Sequence, residues 1–90
     1  MIFTIEEAHD ILRIDGSDND AMIYALLSAV PPYLEAATGY VAVNGYSPLA
    51  QAAGRFLLQL WYYGENADTD KLQRVIDSLL KALSAERAQT

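Results

Sequence analysis

The chain has 90 residues, with 12 Asp and Glu against 6 Lys and Arg, and a formal net charge of -6. Its 52% hydrophobic content excludes a wholly disordered chain, and the absence of cysteine excludes a disulfide framework and a thiolate metal site. The apolar runs are shorter than the roughly 18–20 residues that a membrane span needs. The first residues lack the basic stretch of a secretory signal. We therefore expect one soluble, intracellular domain over residues 1–90, without a membrane partner.

The charge is distributed unevenly along the chain. Residues 1–45 contain seven acids and a single base, Arg13, whereas residues 46–90 contain five acids and five bases. Because contacts to a phosphate backbone need clustered Lys and Arg, this pattern is unfavourable for binding nucleic acid. The acidity indicates either solubility or contact with a basic partner.

Turn and capping signals divide the chain into short segments with helical periodicity. They predict an all-α fold, a small single-domain bundle of three to four helices with short connecting loops. In the first segment, Thr4 and Glu7 have the spacing of a capping box. This helix is predicted to end near Arg13, and its apolar face is formed by Ile5, Ala8, Ile11 and Leu12.

The second segment contains a tandem proline within a helical pattern. Ser17 or Asp18 is predicted to cap this helix, and Gly39 is predicted to end it. Neither Pro31 nor Pro32 can donate an amide hydrogen bond, and each clashes with the preceding turn. The sequence therefore predicts a kink or break near residues 29–30, with the helix resuming over residues 33–38.

The connector before the third segment contains Asn44-Gly45, a turn dipeptide, and a Val-Ala-Val run that could be briefly extended. Ser47 is predicted to cap the third helix, with Pro48 at its first position, where a missing amide costs nothing. The helix is predicted to end at Gly64. It is apolar over most of its circumference, so we expect it to be central or covered by partners.

The fourth segment has the cleanest amphipathic pattern of the chain. Asp68 or Thr69 is predicted to cap it. Residues 85–90 are expected to fray as the last turns of a terminal helix. Its apolar face is formed by Leu72, Val75, Ile76, Leu79, Leu80 and Leu83.

The sequence offers little for catalysis. His9 is the only histidine, and we expect it to be an exposed helix residue without a chemical role. The acidic segment from Asp15 to Asp20 resembles a calcium loop, but no register supplies the Glu that such a loop needs eleven residues after its first ligand. The glycines do not form a phosphate-binding loop, and no serine lies in a nucleophile elbow. We expect no enzymatic activity, cofactor or metal.

The aromatic residues are the feature of the sequence that says most about function. Trp61, Tyr62 and Tyr63 are consecutive and point about 100° apart around a helix, so they cannot all face one small core. Packing at the core and its rim is one interpretation. The other is an oligomer or partner interface, since Tyr and Trp are favoured interface anchors. The candidate interface residues are Trp61, Tyr62, Tyr63, Tyr40, Tyr46 and Arg55, the last as an ion-pair partner for a neighbour's acid.

In order and spacing, these segments resemble the tailed-bacteriophage head–tail connector (adaptor) proteins. The motifs that carry the resemblance are residues 4–7 (Thr-Ile-Glu-Glu), 12–15 (Leu-Arg-Ile-Asp), 34–39 (Leu-Glu-Ala-Ala-Thr-Gly) and 60–66 (Leu-Trp-Tyr-Tyr-Gly-Glu-Asn). The resemblance covers about residues 3–66 and, more weakly, residues 75–83. This chain departs from the family at Pro31-Pro32, where the family runs a continuous helix. It also ends without the short basic-aromatic tail that the family often has.

The resemblance implies a structural role. Such proteins assemble as a ring beneath the portal, in the virion at the head–tail junction after assembly in the bacterial host cytoplasm. They dock the next connector or stopper protein, and the DNA passes through without specific binding. A ring requires that two unlike surfaces of neighbouring copies meet. The alternative is a small acidic helical interaction module that binds a regulatory or basic protein partner and forms no ring.

Overall fold

The computed structural model describes residues 2–64 and 69–88, and it places helices in all four predicted segments. Over these residues it contains no strand, which confirms the all-α prediction. The helices are α1 (Ile5–Leu12), α2 (Asp20–Thr38), α3 (Pro48–Tyr63) and α4 (Thr69–Ala88).

Most of the predicted helix ends are confirmed by their geometry. The Thr4 hydroxyl accepts from the backbone N–H of Glu7, and the Glu7 carboxylate accepts from the N–H of Thr4, which completes the capping box. Arg13 ends α1 in the left-handed conformation, at φ 57°. Ser47 caps α3 through a 3.2 Å bond from the amide of Ala50. Gly39 and Gly64 end α2 and α3 with positive φ, which glycine adopts without steric cost.

The predicted cap of α2 is wrong. The residue that precedes this helix is Asn19, and its side chain makes no capping bond. The backbone carbonyl of Ser17 instead accepts from the amide of Asp20 at 3.2 Å, which forms a turn ahead of the helix. The Asn19 amide group is engaged elsewhere, because it donates to the Tyr62 hydroxyl at 2.8 Å.

The predicted break at the tandem proline is also wrong, because α2 runs through Pro31 and Pro32 without interruption. An interior proline costs a helix about 3 kcal/mol or more. Side-chain burial offsets this cost, since each fully buried aliphatic residue contributes about 1.5–3 kcal/mol. Leu27, Val30 and Leu34, on both sides of the prolines, have at most 1% of their surface exposed.

Helix α4 extends further towards the C-terminus than expected. Helix α4 continues to Ala88, so the expected fraying is wrong for residues 85–88. Leu83 is fully buried and Glu86 is half-buried, which shows that packing extends into the last turns. The cap predicted at Asp68 lies outside the described residues. Thr69 is the first residue of the helix and therefore not its cap.

Helix α3 is the centre of the bundle, as its apolar circumference predicted, and it packs against each of the other three helices. Helices α1 and α4 make almost no contact with each other, so they form opposite flanks of the molecule. Of two core clusters, one joins α2, α3 and α4 through Val30, Leu34, Ala50, Ala53, Leu57, Ile76 and Leu83. The other joins the N-terminal segment and α1 to α2 and α3 through Phe3, Ala8, Leu12, Ile23, Leu27 and Leu58.

Gly54 allows the N-terminal segment to approach α3. A Cβ atom at this position would lie 2.8 Å from the Ile2 Cδ1 atom and 3.2 Å from the Val30 Cγ1 atom. Since real Cβ contacts are longer than 3 Å, a side chain here would displace one of these neighbours. This glycine therefore has the packing role that its position inside a helix suggests.

Candidate interaction surfaces

The three consecutive aromatic residues at the end of α3 lie mostly inside the fold. Trp61 is half-buried against the core cluster of α2, α3 and α4. Its ring meets Tyr33 of α2 edge-on, with centroids 5.4 Å apart and planes at 87°. Edge-to-face pairs of this kind contribute about 0.5–1.5 kcal/mol beyond the area that they bury. Trp61 thus serves as a contact between α3 and α2.

Tyr62 and Tyr63 connect the end of α3 to the turn between α1 and α2. Tyr62 packs on the second core cluster, and its hydroxyl accepts from the Asn19 side chain. The Tyr63 hydroxyl donates to the backbone carbonyl of Leu12, the last residue of α1. The two rings meet edge-on at 5.1 Å. Both residues therefore have an internal structural role, which the sequence could not reveal because their partners are far away in the chain.

Tyr40 and Tyr46 shape the loop between α2 and α3. The Tyr40 hydroxyl accepts from the amide of Ser47 at 2.9 Å, and its own amide donates to the Thr38 hydroxyl at 3.1 Å. The Tyr46 carbonyl accepts from the Gln51 side chain at 2.9 Å. Both rings also pack on the core. The two tyrosines thus fix the ends of this loop against the bundle.

Arg55 is the one member of the candidate set with an exposed charge. It lies on α3 beside a shallow cavity of about 260 Å³, which also contacts Glu7 and Asp10 of α1. Within the described part of the chain, Arg55 makes no ion pair. Its predicted pairing with a neighbour's acid stays a prediction.

His9 is not the exposed residue that the sequence suggested. Its side chain is 23% exposed, and its Nε2 atom lies 2.7 Å from the Asp20 Oδ1 atom. Asp20 is the first residue of α2, so this contact joins α1 to the start of the next helix. The position of Asp20, eleven residues away, could not be inferred from the helical period of α1 alone.

The two flanks of the molecule differ in charge. The α1 flank and the following turn expose five acids, Glu6, Glu7, Asp10, Asp15 and Asp18, against one base, Arg13. The solvent-facing side of α4 exposes three cations with helical spacing, Lys71, Arg74 and Lys81, together with Asp70 and Asp77, so its charges are mixed. We refer to the α1 surface as the acidic flank and to the three cations of α4 as the basic row. Since α1 and α4 make almost no contact with each other, the two surfaces are separate.

Between the flanks, the outward face of α2 is uncharged. The residues opposite its core face are small or apolar, and all are exposed: Ala21, Met22, Ala25, Ala29, Pro32 and Ala36. Met22 keeps 49% of its surface exposed. A helix that is apolar on all sides is typical of a buried element, so this face has the composition of a contact surface.

Metal and membrane sites are not apparent in the described part of the chain. Over residues 2–64 and 69–88, no three His, Asp or Glu side chains group to hold a metal ion. None of the helices there combines the length and hydropathy that crossing a membrane requires. No protein-family model, curated protein or solved structure matches the chain.

Proposed function

We propose that this chain is a non-enzymatic subunit of a phage head–tail connector ring. Copies of the chain would contact one another, the portal and a downstream connector or stopper protein at the head–tail junction of the virion. The DNA would pass through the ring without specific binding. The observation that carries the proposal is the difference in charge between the acidic flank and the surface of the basic row, which lie on separate helices of one subunit.

Two separate flanks of unlike charge favour head-to-tail contacts. When the acidic flank of one copy meets the basic row of the next, each copy keeps one surface of each kind available, and such heterologous contacts close into a ring if the rotation allows. A two-fold contact on the acidic flank would instead pair that surface with itself, which charge repulsion disfavours. Electrostatic complementarity therefore selects the orientation of the neighbours.

Charge alone would not hold such a ring together. An exposed ion pair contributes about 0–1 kcal/mol, so apolar burial has to supply most of the association energy. The outward face of α2 offers uncharged surface between the two flanks. Arg55, beside Glu7 and Asp10, is a further charge at the edge of the acidic flank. These features support a contact with a charged rim and an apolar centre, as interfaces commonly have.

The aromatic residues support this function indirectly. Trp61, Tyr62 and Tyr63 hold α3 against α1 and α2, and so they fix the position of the acidic flank relative to α3. Tyr63 keeps 37% of its surface exposed and is the member of this group most available to a neighbour.

A charge-exchange experiment tests the proposal. One variant carries Arg74→Glu and Lys81→Glu, and the other carries Glu6→Lys and Asp10→Lys. The first variant has two acidic flanks, and the second loses the net negative charge of its acidic flank, so we expect each alone to lose the oligomers that the wild-type chain forms. An equimolar mixture should restore them, because unlike flanks meet again. Sedimentation velocity at low salt measures the species.

The matched control is Glu35→Lys, an exposed position on α2 outside both flanks, which should leave the wild-type distribution unchanged. Oligomers that persist in both variants, or a two-fold dimer of the wild type, would contradict the head-to-tail contact. A wild-type chain that stays monomeric at millimolar concentration would favour the alternative function, the acidic module that binds a basic partner.

A further inference from the structure

The loop between α2 and α3 presents a second surface, separate from the two flanks. Val43 keeps 77% of its surface exposed and Val41 keeps 58%, the highest values among the large apolar side chains of the described residues. Single exposed apolar residues are ordinary on a protein surface. Two of them on one short loop, beside two half-buried tyrosines, make a continuous apolar patch.

The ends of this loop are fixed, whereas the backbone groups of residues 41–43 have no hydrogen-bond partner among the described residues. The Tyr40 hydroxyl joins the loop to the amide of Ser47, and the Asn44-Gly45 turn has positive φ at both residues. Among the residues that the structure describes, no hydrogen bond reaches the N–H or C=O groups of residues 41–43. Backbone donors and acceptors are therefore held in a defined position without partners.

Two adjacent cavities lie along this loop. One, of about 350 Å³, extends from Tyr40 and Val43 to Glu86 of α4. The other, of about 290 Å³, extends from Tyr40 and Val41 to Pro31, Pro32 and Glu35 of α2. Tyr40, Val41 and Tyr46 line both cavities, so the two are adjacent, and we call them together the loop cleft. Its charged lining residues are both acids, one towards each end.

We propose that the loop cleft binds an extended peptide segment of a partner protein, apolar at its centre and carrying Lys or Arg near both ends. The peptide backbone pairs with the open N–H and C=O groups of residues 41–43, as when a strand is added to a sheet edge. Apolar side chains of the peptide cover Val41, Val43 and Tyr46. The basic side chains meet Glu35 and Glu86.

The unpaired backbone selects an extended partner over a helical one. A helix satisfies its own backbone groups, so a helix seated in the loop cleft would bury the groups of residues 41–43 without hydrogen bonds, at a cost of about 1–3 kcal/mol for each. The two acids disfavour nucleic acid, whose phosphates need cations. The proposal does not depend on ring formation, because the loop cleft uses neither the acidic flank nor the basic row.

The test uses a library of fluorescein-labelled synthetic peptides of about eight residues, with central positions varied among Val, Ile, Pro and Tyr. One set has Lys or Arg at both ends, a second has Glu there, and a third repeats the basic set with N-methylated central amides. Fluorescence anisotropy measures binding to the full chain. We expect basic members to bind with a Kd of about 10–100 μM, which corresponds to roughly 5–7 kcal/mol. The acidic and N-methylated sets should bind at least about tenfold more weakly, the cost of losing about 1.4 kcal/mol.

Substitutions in this chain test whether the peptides bind at the loop cleft. The pair Glu35→Gln and Glu86→Gln should weaken binding about tenfold, and Val43→Asp should weaken it further. Met22→Asp is the matched control, because it places the same charge at another exposed apolar residue, and it should leave binding unchanged. Circular dichroism checks that each variant is folded. The ring-breaking pair Arg74→Glu and Lys81→Glu should retain binding, which separates this proposal from the connector function.

Three results would overturn the proposal. One is the absence of saturable binding by every basic peptide up to about 1 mM, an affinity of only about 4 kcal/mol. Another is binding that Val43→Asp leaves unchanged. The last is an NMR titration with a basic peptide in which the amide chemical shifts of residues 40–47 do not change. Changes that include these residues and Glu35 would support it.

Discussion

The C-terminal end of α3 and the loop between α2 and α3 are both rich in tyrosine, yet they differ in what their tyrosines do. At the end of α3, the hydroxyls of Tyr62 and Tyr63 bind the turn between α1 and α2. In the loop, Tyr40 and Tyr46 hold the ends in place, and the apolar residues between them remain exposed. Aromatic content alone therefore does not identify a binding surface. The exposure of the neighbouring residues and the unpaired backbone distinguish the two regions.

The largest expected effect concerns the end of α3. Tyr62→Ala removes a ring that packs on the second core cluster and leaves the Asn19 side chain without its partner. We expect the free energy of unfolding to fall by about 2–4 kcal/mol, within the range for large-to-small changes in a core. Urea denaturation followed by circular dichroism measures this value. A loss below about 0.5 kcal/mol, typical of a surface change, would contradict an internal role for Tyr62.

A smaller loss in the free energy of unfolding is expected when only a hydroxyl is removed. Tyr63→Phe keeps the ring and deletes the hydrogen bond to the carbonyl of Leu12. We expect a loss of about 1 kcal/mol, the typical net contribution of one hydrogen bond. Tyr24→Phe is the matched control, since the Tyr24 hydroxyl has no partner among the described residues. Equal stabilities for the two variants would show that the Tyr63 bond contributes nothing.

The contact between His9 and Asp20 joins α1 to the start of α2 and should contribute less to stability. A double-mutant cycle with His9→Gln and Asp20→Asn isolates the interaction from other changes. We expect a coupling free energy of about 0.2–1 kcal/mol at low salt, because both side chains are partly exposed. A coupling of zero at low salt would mean that the two side chains do not interact in solution.

The smallest effect on stability is expected in the loop. Val43→Ser changes a side chain that is mostly exposed, so the free energy of unfolding should change by less than about 0.5 kcal/mol. The same urea titration measures it beside Tyr62→Ala. A loss as large as that of Tyr62→Ala would show that the loop, like the end of α3, is an internal structural element, and the contrast between the two regions would disappear.

The sequence predicted helix caps and helix ends correctly where they depend only on residues close together in the chain. The capping box at Thr4, the cap at Ser47 and the end of α2 at Gly39 each depend on groups within a few residues. The prediction of a break at Pro31-Pro32 was wrong, because the local cost of the prolines is opposed by burial of Leu27, Val30 and Leu34 against other helices.

The site residues were harder to predict, since their roles depend on contacts across the fold. From the sequence, Tyr62 and Tyr63 are candidate interface residues, with packing at the core and its rim as the other interpretation, and the structure gives their hydroxyls partners in the turn and in α1. His9 was expected to be exposed, but it contacts Asp20. The inward face of α4, where Ile76 and Leu83 are buried, followed from the helical period of this segment. The separation of α1 from α4 is visible only in the packing of the helices.

The central claim is that unlike flanks of this chain meet head to tail. Native mass spectrometry of the wild-type chain over a wide concentration range, with electron microscopy of any large species, tests it most directly. The account predicts one closed ring of defined copy number that grows at the expense of the monomer as concentration rises, and that dissociates at high salt as its rim charges are screened. A tight two-fold dimer, already formed at nanomolar concentration and insensitive to salt, would contradict it.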